Sequence, residues 1–175
     1  VMVNIRENGL TGGGLRALGT ASLVNVINGV GSLPTKNWQE SYYEKAEDVS
    51  GEALAEKYLV KAGACHRCPI ACGRVVRVGD KVVGGPEYEP LWAYGANMDN
   101  NDLASINEAN MWCNEYGLDA ISVPCTIAAA MELYQRGAIK PEDCDGALLE
   151  WGNAASAIEW TKRMGDPKTE LDWLM

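Results

Sequence analysis

Three cysteines crowded into eight residues, Cys65-His66-Arg67-Cys68-Pro69-Ile70-Ala71-Cys72, constrain this chain more than any other feature. The spacing is C-x2-C-x3-C. Disulfides between such near neighbours would be strained, and reducing compartments keep thiols free, so a metal explains the trio better than bridges do. Zinc, a four-iron four-sulfur cluster and a tight turn of plain thiols are the alternatives. Structural zinc usually takes two ligand pairs, and only one compact group exists. The sole histidine, His66, sits between two cysteines and is poorly aimed as a ligand. Three cysteines of one loop can hold three corners of a cubane if a fourth comes from elsewhere. Within the chain the candidates are Cys113, Cys125 and Cys144. The first two fall in predicted helices, where a small buried hydrophobe is the commoner meaning.

The charge pattern agrees with a thiolate site. The chain of 175 residues carries a net charge of −9, yet residues 51–83 are net positive, with six basic and three acidic side chains. Arg67 and Arg74 favour ionised thiols there, and an anionic group suits the segment. The acidic remainder argues against nucleic acid as a partner, because phosphate backbones are gripped by clustered Lys and Arg. With 47% hydrophobic and 22% charged residues the composition is that of a folded globular chain of one domain's length. No stretch approaches the roughly 18 apolar residues of a membrane span. The opening Val1-Met2-Val3-Asn4-Ile5-Arg6 has no secretory signature, so the expected compartment is the cytoplasm.

Apolar periodicity and breakers predict helices over residues 15–27, 51–60, 102–116, 123–136 and 154–163. Ser50 is placed to cap the second of these and Gly63 to end it; Gly117 and Gly137 close the third and fourth. Residues 74–78 and 81–83 are β-branched runs separated by Gly79-Asp80, which is hairpin chemistry. No internal repeat is present. The expected fold is therefore mainly α, a helical domain with one short β-hairpin next to the three-cysteine loop.

Extended to its neighbours, the loop Ala64-Cys65-His66-Arg67-Cys68-Pro69-Ile70-Ala71-Cys72-Gly73-Arg74 resembles the cluster loop of tungsten-containing aldehyde ferredoxin oxidoreductases. Radical enzymes that use adenosylmethionine space their three cysteines in the reverse order. Four further segments resemble the same family in the same order: Leu33-Pro34-Thr35-Lys36-Asn37, Ser50-Gly51-Glu52, Gly85-Pro86-Glu87-Tyr88-Glu89 and Tyr116-Gly117-Leu118-Asp119-Ala120-Ile121-Ser122. The likeness runs from about Gly12 to Ala155 and is weakest over the closing residues 165–175. Five ordered motifs are far more specific than one cysteine loop.

The resemblance implies an enzyme that oxidises small aldehydes to carboxylic acids and passes electrons to ferredoxin. It implies tungsten or molybdenum held by two pterins, and a four-iron four-sulfur cluster ligated by Cys65, Cys68 and Cys72. The fourth ligand and much of the pterin cradle would come from flanking N- and C-terminal domains. The chain would then be the middle helical domain alone, inactive by itself, from a full-length protein for which the family allows a homodimer. Glu89 matches an acid beside the tungsten, where desolvation would fit it for proton transfer. Asn114, Gly117, Leu118 and Asp119 match a pterin-contacting turn, in which a carboxylate at Asp119 accepts two pterin N–H groups. Asn114 stands where some relatives have Asp, keeping an acceptor oxygen and losing the charge. Without the family, Gly117 reads as a helix stop, Asp119 as an N-cap, and Glu87 and Glu89 as solvated loop carboxylates. Glu108-Ala109-Asn110-Met111 lacks the histidine that some relatives use with the acid in a metal site between subunits, which leaves Glu108 a polar helix-face residue. Two rival readings remain at this stage: a free-standing iron-sulfur electron-transfer protein and a zinc-stapled interaction domain. Trp92, Trp112, Trp151 and Trp160 are expected in the core or against a neighbouring domain.

Overall fold

The single helix predicted over residues 15–27 is broken into pieces, and Gly19 is the reason. Its backbone lies at φ 71°, ψ −164°, where essentially only glycine is found. A Cβ at Gly19 would meet the Cys72 carbonyl at 2.5 Å. The chain therefore turns tightly against the cysteine loop instead of continuing its helix. In a computed structural model describing residues 1–174, the order begins α1 (Met2–Glu7), a π-type turn (Gly9–Gly14), α2 (Leu15–Leu18), a 3-10 turn (Thr20–Ser22) and α3 (Leu23–Gly29). Met175, the last of the weakly resembling closing residues, lies outside the described residues.

The helix predicted from residue 51 forms as α4 (Gly51–Lys57), and the Ser50 hydroxyl accepts the Ala53 amide at 3.1 Å as its cap. It stops three residues early. The segment that follows is a strand, β1 (Leu59–Gly63), which the sequence gives no local reason to expect. Tertiary pairing overrides propensity here: β1 lies antiparallel to β2 (Gly73–Val78), with Gly63 opposite Gly73 and a register shift between Leu59 and Lys61. β2 pairs with β3 (Lys81–Gly84) through the expected Gly79-Asp80 turn. The hairpin is thus part of a three-stranded sheet in the order β1-β2-β3.

Residues 87–89 are not a loop. Glu87 occupies the N-cap position of α5 (Tyr88–Tyr94), and Glu89 lies in its first turn. Pro90 is tolerated there because the amides of a helix's first turn have no intrahelical partner. The remaining helices follow the predicted periodicity closely: α6 (Leu103–Tyr116), α7 (Ser122–Gln135) and α8 (Ala154–Gly165), with a short α9 (Glu170–Leu174) after them. Leu103, Ile106, Asn110 and Cys113 recur at three- and four-residue steps along the buried face of α6, which packs on α8. Trp160 of α8 is fully buried and is the largest side chain of the core; Trp92 and Trp151 are half-buried against the core, and the half-buried Trp112 stacks on Tyr116 instead. The chain is mainly α with a small antiparallel sheet, and the sheet holds the cysteine loop at its edge. No helix among the described residues is long and apolar enough to cross a membrane.

Candidate functional site

The cysteine trio occupies the connection between β1 and β2, so the paired glycines 63 and 73 pin both ends of the loop. Inside it, the Cys68 amide donates to the Cys65 carbonyl at 3.0 Å, a tight turn. Arg67 and Ala71, the residues just before the second and third cysteines, both sit at φ 56°. Two left-handed non-glycine residues in so short a loop cost roughly 1–3 kcal/mol each and persist only where the surroundings hold them. The holding groups are cationic. Arg16 of α2 donates to the Pro69 carbonyl at 2.8 Å. Arg74, only 4% exposed, donates to the carbonyls of Ala71, Cys72, Gly73, Ala17 and Arg16. Burial lowers its pKa from the ordinary guanidinium value, against the pull of Glu87 and Cys72.

All six cysteines are free thiols. Cys65 is exposed, and Cys68 and Cys72 are half-buried. Among the described residues no three histidine, cysteine or carboxylate side chains gather closely enough to hold a single ion. The trio therefore shares a loop without converging on one point. Three thiols on one loop are of the donor type that a four-iron four-sulfur cluster takes, one thiolate per iron. The other three cysteines are engaged elsewhere. Cys113 and Cys144 are buried in the core, and Cys125 lies on α7 with Asn97 at 3.9 Å. Thr161 spends its hydroxyl proton on the Ala157 carbonyl, so it accepts from Tyr94 at 2.7 Å, and the Cys113 thiol donates to Tyr94 at 3.1 Å. Burial pushes the pKa of all three of these thiols up, away from the thiolate.

A second feature lies where three segments meet. Glu89 from the start of α5, Asn114 from the end of α6 and Asp119 from the α6–α7 turn line one open cleft of about 390 Å³. Sequence reasoning named these three; Gly85, Glu87 and Asn110 line the same cleft and were not singled out as site residues. Only the fold brings them in. Asn110 lies one helical turn before Asn114 and donates to the Gly84 carbonyl at 3.2 Å, tying α6 to the end of β3. The Thr20 hydroxyl donates to Glu87 at 2.5 Å and accepts the Tyr88 amide at 2.9 Å, fixing the start of α5. Gly117, at φ 70°, closes α6 in the left-handed conformation, and Leu118 donates its amide to Cys113 and packs on the core. The turn therefore presents Asp119 to the cleft.

Asp119 also caps α7. Its Oδ1 accepts the Ile121 amide at 2.8 Å and the Ser122 amide at 2.6 Å. The Ser122 amide, then the Ile121 amide, hold its pKa below the usual aspartate value. Both amide bonds fall on Oδ1, and the exposed Asp119 side chain lines the cleft. Glu89 is exposed, so this chain's own residues do not desolvate it. Glu108 lies outside the cleft. It accepts the Trp112 indole N–H and the Lys162 ammonium, each at 3.1 Å. Burial alone would raise its pKa, and these two donors lower it instead.

A pinned three-cysteine loop and a carboxylate-lined cleft are the two features of the fold that gather potential ligand groups. Comparison with known proteins supplies the particular family. The family description "Aldehyde ferredoxin oxidoreductase, domains 2 & 3" matches residues 1–173. The chain is 46% identical over 174 residues to the tungsten-containing aldehyde ferredoxin oxidoreductase of Thermococcus kodakarensis, covering 95% of this chain and 29% of that protein. The Pyrococcus furiosus protein of the same description is 53% identical over 153 residues, which is 85% of this chain and 25% of the relative. A second P. furiosus protein, described as an aliphatic sulfonate oxidoreductase, WOR-like subunit, is 33% identical over 128 residues, 70% of this chain and 20% of its own length. The chain belongs to the aldehyde ferredoxin oxidoreductase family. It spans between a fifth and three tenths of the length of these relatives.

Proposed function

We propose that this chain is the middle helical domain of an oxidoreductase that converts small aldehydes to carboxylic acids with ferredoxin as electron acceptor. On this reading Cys65, Cys68 and Cys72 hold three corners of a four-iron four-sulfur cluster, and the cleft is one wall of a tungsten or molybdenum bis-pterin site completed by other domains. When bound, the metal pterin would supply a two-electron acceptor for oxidation of the aldehyde with water as the oxygen source, and the cluster, held by Cys65, Cys68 and Cys72, would supply one-electron relay chemistry. The chain's own residues bind and orient. Asp119 offers a carboxylate oxygen to a pterin N–H, and Asn114 offers an amide that both donates and accepts. Gly117 and Leu118 hold that turn against α6. Glu89 holds or moves a proton beside the reacting carbon once neighbouring domains exclude water from the cleft. The reading needs a reducing cytoplasm, which keeps the trio as thiols.

The observation that carries it is the meeting of Glu89, Asn114 and Asp119, separated in sequence, on one cleft whose floor continues into the cysteine loop through Gly85 and Arg74. An electron-transfer protein complete in itself would need a fourth accessible thiol; Cys113 and Cys144 are packed in the core, which leaves only the half-buried Cys125 of α7 among the described residues. The test is purification without oxygen of the enzyme carrying this chain, followed by assay of iron, acid-labile sulfide, tungsten and aldehyde-dependent ferredoxin reduction. The expected result is about four irons and four sulfides with a group VI metal, and Glu89→Gln lowering turnover by roughly 100-fold or more. Full activity of Glu89→Gln removes the acid from the chemistry; a protein holding only zinc overturns the whole reading.

A further inference from the structure

Arg74 serves both halves of the site, its side chain holding the cysteine loop and its backbone meeting the edge of the cleft. Its guanidinium has five N–H groups, and four of them reach five carbonyls. Nε is shared between Cys72 at 3.2 Å and Gly73 at 2.9 Å. Nη1 reaches Ala17 at 2.7 Å, and Nη2 reaches Arg16 at 3.2 Å and Ala71 at 2.6 Å. Three of those carbonyls close the cysteine loop and two end α2, so one planar fork joins the loop to the helix behind it. Its own carbonyl accepts the Gly85 amide at 2.9 Å, and Gly85 lines the cleft. The charge is unusual as well. Arg74 is buried and, among the described residues, has no carboxylate within ion-pair distance, although Glu87 acts on it from further away. A buried cation normally acquires a counter-ion or costs several kcal/mol. Five carbonyl dipoles solvate this one without neutralising it.

We infer that Arg74 is a positioning residue for the cysteine loop whose buried charge makes the group held by Cys65, Cys68 and Cys72 easier to reduce. The inference rests on the cluster proposed above and adds to it a residue that touches neither substrate nor pterin. The physics is simple. Reduction adds negative charge to the cluster, and a fixed cation behind Cys72 in a poorly solvated setting stabilises the added electron. Geometry and charge separate by substitution. Lysine keeps the charge but has a point ammonium that cannot span five carbonyls, whereas glutamine loses the charge and keeps a short donor.

The protein is purified without oxygen as wild type, Arg74→Lys and Arg74→Gln, with iron and sulfide counted, the midpoint potential titrated, and amide hydrogen exchange followed after chelation of the metal. In both variants the loop amides of residues 65–73 are expected to exchange at least tenfold faster than in the wild type. Arg74→Gln is expected to lower the one-electron reduction constant at least tenfold, about 59 mV, with Arg74→Lys lying much nearer the wild type. Wild-type loop exchange in both variants overturns the positioning role, even where little cluster survives. A wild-type potential in Arg74→Gln overturns the electrostatic role. A wild-type preparation free of iron and sulfide overturns the cluster reading itself, and this inference falls with it.

Discussion

Cys68 and Cys113 are the same residue in opposite settings. Cys68 stands in a loop between two strands, half-buried, with Arg16 and Arg74 fastening the backbone around it. Cys113 is fully buried on α6, donates to Tyr94, and has its pKa raised by burial. The contrast teaches that ligand readiness belongs to the backbone and its cations rather than to the thiol. A helix satisfies its own amides and leaves cysteine as a small hydrophobe. A pinned hairpin loop leaves cysteines outward and spends its strain at Arg67 and Ala71.

Serine substitutions test this contrast with the largest effect. Cys65→Ser, Cys68→Ser or Cys72→Ser should each remove nearly all bound iron while leaving the thermal unfolding of the metal-free chain close to wild type. Cys113→Ala should do the reverse. It should keep the iron and lower stability by about 1–3 kcal/mol through the lost packing and the loss of the hydrogen bond that Tyr94 accepts. Iron loss from Cys113→Ala, measured by metal analysis, would break the distinction between the two settings.

A smaller effect is expected at Gly19, which has the backbone freedom and the space that the loop's approach requires. Gly19→Ala should cost roughly 1–3 kcal/mol in denaturant unfolding and lower iron content in step, because its Cβ collides with the Cys72 carbonyl. Stability loss with full iron retention would separate the turn from the loop. The smallest effect concerns the cleft. Amide hydrogen bonds hold Asp119 below its usual pKa, so its contribution is present above the unfolded value near 4 and is lost as pH falls through the lower folded value. Proton exchange at the Ile121 and Ser122 amides should therefore rise first as pH drops below about 4, before the core of α6 responds. Simultaneous loss of both would tie the turn to global unfolding instead.

Much of this was legible in the residues themselves. The helices expected over 102–116 and 154–163 form over 103–116 and 154–165 because their apolar periodicity is a local signal, and Asp102 and Asn153 prove to be their caps. β1 was not legible, because its reason lies across the sheet in β2; Leu59 and Val60 read equally well as the end of a helix. α5 was hidden behind Pro86 and Pro90, which look like loop punctuation until one sees that Pro90 falls in a first turn. For the site, the cysteine spacing and the turn at Asp119 carry their own chemistry. Gly85, Glu87 and Asn110 are ordinary residues that enter the cleft only because β3, α5 and α6 meet there. Arg74 looked like one more cation near the thiols, and its five carbonyl partners come from segments up to 58 residues away.

The most direct test of the central claim is the electron paramagnetic resonance spectrum of the protein, purified without oxygen and reduced with dithionite. A reduced cubane signal, integrating to about one spin per chain and absent from Cys68→Ser, is the predicted result. A silent, colourless protein with an intact fold and a stoichiometric zinc ion would contradict it.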